Sequence, residues 1–210
     1  MNSFFDLTLK DVVEIFLAGA LVFVGASQLI VYSGQLTIMQ SDHRPWAAVS
    51  GNITASSDLA YGNGNGNLDV KFQIRNYSKT PASGIFATVG AYVNRNAAGL
   101  DVALREFCMK AKRGDPITNT EGGIIWPENV AGAERQIVFE SPKDALTNVF
   151  VMVCVAYKAP DDITVHASGN TFLAVRRDPQ SGVSRGLGPG GDLVRQGDIG
   201  FGPSLPGYAD

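Results

Sequence analysis

Residues 68–82 read LDVKFQIRNYSKTPA. Leu68, Val70, Phe72 and Ile74 alternate with Asp69, Lys71, Gln73 and Arg75. A period of two puts the four apolar side chains on one face of a strand and the four polar ones on the other. One dry face and one wet face is the pattern of an antiparallel sheet covered on a single side. The second half of the stretch then turns the chain. Asn76 belongs to a residue type that tolerates left-handed backbone, Ser78 and Thr80 can satisfy backbone groups, and Pro81 ends regular pairing. A loop tip that binds a partner, with Asn76 and Lys79 as its candidate contacts, is the competing reading; the turn is preferred.

Similar strand signals lie on both sides of this stretch. Residues 83–93, SGIFATVGAYV, form the next strand, with Ile85, Ala87, Val89, Ala91 and Val93 on one face. Residues 46–55 precede it, followed by the Gly/Asn loop GNGNGNLD at 62–69, read as a flexible hairpin loop rather than a calcium repeat. Residues 123–126 make a short strand and residues 134–140 another. Residues 148–158, NVFVMVCVAYK, are apolar on both faces, the signature of a central strand. Residues 163–165 and 171–176 read as a closing pair around Ser168-Gly169-Asn170. One helix interrupts the strands at 98–113, with Leu100, Leu104, Phe107 and Ala111 on one stripe and Cys108 beside it. About seven short strands with turn signals between them predict a mainly β domain over 45–178. The expected architecture is an immunoglobulin-like antiparallel β-sandwich whose inserted helix crosses from one sheet to the other. The tail, 179–210, is rich in Gly, Pro and Asp, and is expected to be disordered for want of apolar surface.

Ahead of the domain, residues 12–32 read VVEIFLAGALVFVGASQLIVY. After Glu14, eighteen residues, 15–32, carry no charge. About 20 residues of helix cross a hydrocarbon core of about 30 Å. Glu14 and Tyr32 fall at the two edges, where a carboxylate reaches headgroups and a Tyr ring sits well. The leader before the run has one Lys against two Asp, and Ser33-Gly34-Gln35 is a poor cleavage site, so the run is a retained transmembrane anchor rather than a signal peptide. Residues 1–11 flank it and residues 33–44 are a spacer. Lys10 and the amino terminus on one side nearly balance Arg44 on the other, so the charge rule leaves the orientation open. Pro45 stops any helix, and a strand can begin at Trp46. Arg44 and Trp46 are candidate interface residues. The preferred alternative makes Trp46 a cap over the end of the sandwich, with Arg44 exposed beside it.

The chain has 210 residues, net charge −3 and 45% hydrophobic residues. That is enough for one domain with a core, and its mild acidity lacks the electrostatic footprint of a nucleic-acid binder. Two cysteines, Cys108 and Cys154, are too few for a disulfide scaffold or a structural zinc site. They can form one bridge in an oxidising compartment or remain two buried thiols. Only two histidines occur, His43 and His166. A Cys154–His166 pair would be the most visible nucleophile, but Cys154 lies in the most hydrophobic strand, where a thiol is inert. The G-x-G-x-x-G match at 186–191 needs a strand before it and a helix after it, and Pro189 with the neighbouring glycines makes that helix implausible, so it is read as chance. Asn52-Ile53-Thr54 and Asn76-Tyr77-Ser78 fit the N-glycosylation triplet, which is frequent by chance. No residue pattern asks for a catalytic role, a cofactor or a metal.

Three local patterns recur together: R-P-W at 44–46 after an apolar run, N-x-x-K-T-P-A at 76–82 ending a strand, and C-x-x-Y at 154–157 in a late strand. With them the chain, over residues 12–178, resembles a loose group of uncharacterised bacterial single-span membrane proteins with a small β-sandwich domain. This chain has W-P-E at 126–128 where that group is expected to have F-P-G. The resemblance implies an architecture and no catalytic residues.

The expectation is therefore a single-pass membrane protein, embedded in the bilayer through 12–32. Its β-sandwich would act as a non-catalytic module binding another protein or an envelope component. An accessory subunit of a larger membrane complex is the alternative, and an unrecognised hydrolase a more distant one.

Overall fold

The structure, a computed structural model, describes residues 19, 21–28, 44–113, 123–142, 147–159, 163–178, 180–187 and 193–209. The chain divides into two units, 1–44 and 45–210. In the first, residues 21–28 are helical, and Leu21, Val22, Phe23 and Val24 are exposed. The Ser27 hydroxyl donates back to the Phe23 carbonyl at 2.8 Å, as a helical Ser does in apolar surroundings. Among the described residues no helix is long and apolar enough to cross a membrane. Most of the span expected over 12–32, the flank 1–11, His43 and most of the spacer lie outside the described residues.

The second unit is mainly β. Ten strands lie among its described residues: β1 (Ala47–Ala55), β2 (Ala60–Gly62), β3 (Asn65–Asn76), β4 (Ala82–Asn94), β5 (Gly123–Ile125), β6 (Val130–Glu140), β7 (Asn148–Lys158), β8 (His166–Arg177), β9 (Ser184–Gly186) and β10 (Ile199–Ala209). One helix, α1 (Leu100–Lys112), follows β4. All pairings are antiparallel. In the first sheet β3 is central, with β6 on one side and β1 and β2 on the other. The second sheet runs β10-β8-β7-β4-β5. β9 joins it at Val175, just past the point where β7 stops pairing with β8 at Ala174.

The period-two strand is where the sequence placed it. Leu68, Val70, Phe72 and Ile74 are all buried, and they share one apolar cluster with residues of the second sheet. β2 and β3 are joined by Asn63 and Gly64, with φ of 51° and 79°. Positive φ at both positions is a type I′ turn, so the expected flexible loop is a two-residue hairpin.

β7 explains its own composition. Val149, Val151, Val153, Val155 and Tyr157 point into the cluster shared with the first sheet. Phe150, Met152 and Cys154 point the other way, into a second cluster formed with α1. Each buried Val contributes about 1.5–3 kcal/mol. The helix does not cross between sheets as expected. It lies on the outer face of the second sheet, because Leu100, Leu104, Cys108 and Ala111 have their apolar partners there, in Phe150, Met152, Cys154 and Ala167.

Two further expectations are corrected. Residues 163–176 do not form a hairpin. β8 runs unbroken through Ser168-Gly169-Asn170, and Gly169 pairs with Cys154. A Cβ on Gly169 would stand 2.6 Å from Cys108 Sγ and 3.0 Å from Leu104 Cδ1, so this glycine admits the helix instead of turning the chain. Nor are the described residues of the tail expected over 179–210, namely 180–187 and 193–209, disordered. β10 pairs with β8 from Ile199↔Arg176 to Ala209↔Ser168, with register shifts around Pro203 and Leu205. Leu187, Val194, Ile199 and Phe201 are buried in the inter-sheet cluster. Leu59 and Val194 exchange two backbone hydrogen bonds of 2.8 and 3.1 Å. The domain therefore extends to Ala209 rather than ending at Asp178.

Candidate functional site

Asn76 ends β3 and is completely buried. Its amide Nδ2 donates to the carbonyls of Thr80 (2.7 Å) and Ile125 (3.0 Å). Its Oδ1 accepts from the Ser78 N–H (3.0 Å) and the Ser78 hydroxyl (2.7 Å). Its own N–H donates to the Asn129 carbonyl at 3.3 Å, and its carbonyl accepts from the Glu128 N–H at 3.0 Å. Both donors of the amide and both lone pairs of its oxygen are thus used. The sequence placed a turn here correctly but for a different reason: among the described non-glycine residues left-handed backbone falls on Asn63 and Glu128, and Asn76 works through its side chain. As an interface contact Asn76 is corrected, since no part of it reaches solvent. Lys79, on the same turn, is exposed.

Around this buried amide three exposed aromatics are held on short backbone links. The Tyr77 N–H donates to the Trp46 carbonyl at 2.8 Å, and the two rings lie 5.9 Å apart, tilted by 49°. Trp126 directly follows Ile125, whose carbonyl Asn76 holds. Trp46 is 54% exposed, Tyr77 47% and Trp126 59%. The Arg75 guanidinium carbon sits 5.5 Å from the Tyr77 ring centre, within cation–π range. Trp46 therefore does not cap the core. Pro45 and Ala47 on either side of it are buried, and its own ring faces outward. Arg44 is exposed as expected. Trp46 and Tyr77 also wall a cavity of about 350 Å³ with Ser168, Asn170 and Tyr208. The Ser168 hydroxyl donates across its floor to the Ala47 carbonyl, at a short 2.5 Å.

Sequence reasoning named Trp46 but missed Tyr77 and Trp126. Tyr77 was absorbed into the turn, and Trp126 was noticed only as a departure from an expected motif. The signal was one aromatic beside each chain reversal, Tyr77 after Asn76 and Trp126 before Pro127, and its grouping depends on bonds between residues about fifty positions apart.

Of the other candidates, Cys108 and Cys154 lie in the helix-facing layer. Cys108 and Cys154 form a disulfide, with Cα atoms 5.5 Å apart, tying α1 to β7. His166 pairs with Tyr157 in the β7–β8 register, and their rings are 6.0 Å apart. It precedes Ala167, which faces the helix beside Cys154, so strand alternation puts His166 on the opposite face. The structure thus does not bring Cys154 and His166 together, and the sulfur is already bonded. Among the described residues no group of three or more His, Cys, Asp or Glu is placed to hold a metal ion.

Among the described residues three ionisable groups are shifted by local structure: Asp178, Tyr61 and Glu134, whose carboxyl the Ser56 hydroxyl and then Lys71 hold below its usual value. The Ser181 hydroxyl and the N–H groups of Gln180 and Ser181 hold the Asp178 carboxyl below its usual value in the β8–β9 turn. Burial pushes the Tyr61 phenol up, with Arg176 pulling against it. On the outer face of the first sheet, Lys71 and Glu134 pair at 3.5 Å beside a shallow cavity of about 650 Å³. Both side chains are solvated, so the pair contributes little.

Comparison with protein-family models, with curated proteins and with solved structures returned no match to the chain.

Proposed function

We propose that the chain is a single-pass membrane protein. It presents a non-catalytic immunoglobulin-like β-sandwich, on the oxidising side of the bilayer, to another protein or an envelope component. The observation that carries this is the run of exposed apolar side chains Leu21, Val22, Phe23 and Val24 on a helical segment, inside eighteen residues without charge. Exposed apolar helix surface needs a cover, and a bilayer supplies one. Two antiparallel sheets around one apolar cluster support the sandwich. The Cys108–Cys154 bridge supports the oxidising side, since structural disulfides form and persist there.

The test is fractionation of carbonate-washed membranes. The intact chain is expected in the pellet, and its release only by detergent. Intact chain in the supernatant overturns the reading. Membrane-impermeant maleimide, applied to intact cells before and after reductant, tests the side. Labelling is expected only after reductant, and then only as fast as the domain opens, because both sulfurs are buried. A second reading, an accessory subunit of a membrane complex, is favoured by Gly19, Gly25 and Ser27, small residues of the kind used in helix–helix contacts. Stoichiometric co-purification with integral membrane proteins in mild detergent would select it.

A further inference from the structure

We infer that the end of the domain carrying Trp46, Tyr77 and Trp126 rests on the lipid headgroups of the membrane, so that these rings orient the domain on the bilayer surface. This rests on the membrane reading above and adds to it a second contact with lipid, made by the folded domain itself.

Three observations select a lipid surface over a protein. The first is reach. Trp46 follows the last residue of the uncharged run, Tyr32, by only fourteen positions. Fully extended at about 3.3–3.6 Å per residue, that tether is at most about 50 Å long, so this end of the domain stays within reach of the headgroup layer. The second is ring chemistry. The patch is made of two Trp and one Tyr, each an apolar body with a single polar tip, the side chains that settle at the membrane–water boundary. The third is charge. Arg44, Arg75 and Lys79 each lie two residues from Trp46 or Tyr77, segments 43–48 and 74–82 hold no Asp or Glu, and Glu128 is the acid beside Trp126. Cations around amphipathic rings suit an anionic lipid surface. The backbone under the patch is tied together, because Asn76 bonds Ile125, Glu128 and Asn129 on the Trp126 side and the Tyr77 N–H holds the Trp46 carbonyl.

The chain contains only two tryptophans, Trp46 and Trp126, and both belong to the patch. Tryptophan fluorescence of the full chain therefore reads this surface alone. The chain is reconstituted into vesicles of phosphatidylcholine and phosphatidylglycerol mixed about two to one, with and without a headgroup spin label. The variants W46F and W126F isolate each reporter while keeping an aromatic in place. Circular dichroism and an intact disulfide confirm that each variant is folded. The expected result is quenching of both reporters by the headgroup label, with an iodide quenching constant about threefold lower than for a free indole in the same vesicles. Vesicle flotation is run on the same samples. A chain that floats while both tryptophans remain open to iodide and blind to the label overturns this inference alone, and points to a protein-facing patch. A chain that does not float overturns both this inference and the membrane reading.

Discussion

At the residue scale, Asn76 does the work of a small hub. Its Nδ2 serves the buried Ile125 carbonyl and shares the part-buried Thr80 carbonyl, which also accepts from the Ser78 hydroxyl at 2.9 Å. Truncation to Ala takes this donor from the buried Ile125 carbonyl, while Thr80 keeps the Ser78 hydroxyl, and we expect a loss of about 1–3 kcal/mol in urea unfolding. Asn76→Asp is more informative. At neutral pH it sets a carboxylate oxygen against those same carbonyls. The Asp would be more easily protonated in the folded state than in the unfolded one, so its folded pKa is raised. Stability is then greatest below the ordinary carboxyl value of about 3.9 and falls as pH rises through the raised one. The gap between this variant and the parent chain should widen from about pH 4 to pH 7; a constant gap would refute the assignment of Nδ2 as the essential donor. Gly169→Ala tests a close approach. The new Cβ would meet Cys108 Sγ, which is bonded to Cys154 and cannot swing aside. A cost of about 1–3 kcal/mol is expected, while Gly132→Ala, which opens onto free space, should stay within about 0.5 kcal/mol of the parent chain.

At the scale of elements, β10 carries the sharpest prediction. A chain ending at Arg195 loses the buried side chains of Ile199 and Phe201 and the pairing of β8 along its outer edge. Two such side chains are worth about 3–6 kcal/mol together, so the truncated chain should unfold at clearly lower urea or aggregate. A disordered tail would be removable without effect. The sequence pattern for this strand was present but disguised. Ile199 and Phe201 alternate with Gly200 and Gly202, so a period of two was read as glycine-rich composition. By contrast β3, β4, β7 and α1 were legible, because their apolar residues recur at the strand or helix period without interruption. Gly169 misled for a related reason: a glycine needed for contact with a helix far away in sequence looks, locally, like a turn. The turn at Asn76 was legible, but its bonding was not, since Ile125 and Asn129 lie about fifty residues downstream. The pairing of the cysteines was left open for the same cause, as it depends on where α1 docks.

At the scale of the molecule, one covalent link joins the helical layer to the sheets. Cys108 and Cys154 are 46 positions apart, and on the chain-entropy account closing that loop contributes about 4 kcal/mol. Reductant, or the double variant Cys108→Ala with Cys154→Ala, should lower the urea midpoint of the domain by a corresponding amount, and α1 should exchange its amides faster than β3. An unchanged midpoint would mean that the helix is held by packing alone. The outermost strand of the second sheet has a different consequence. β10 contains Pro203 and Pro206, which have no amide hydrogen, and its pairing slips on both sides of Leu205. A neighbouring copy that tried to add itself along this margin would find donors missing and spacing uneven. Many copies crowded side by side in one plane would therefore stay separate bodies, with no template for stacking into fibres from that side.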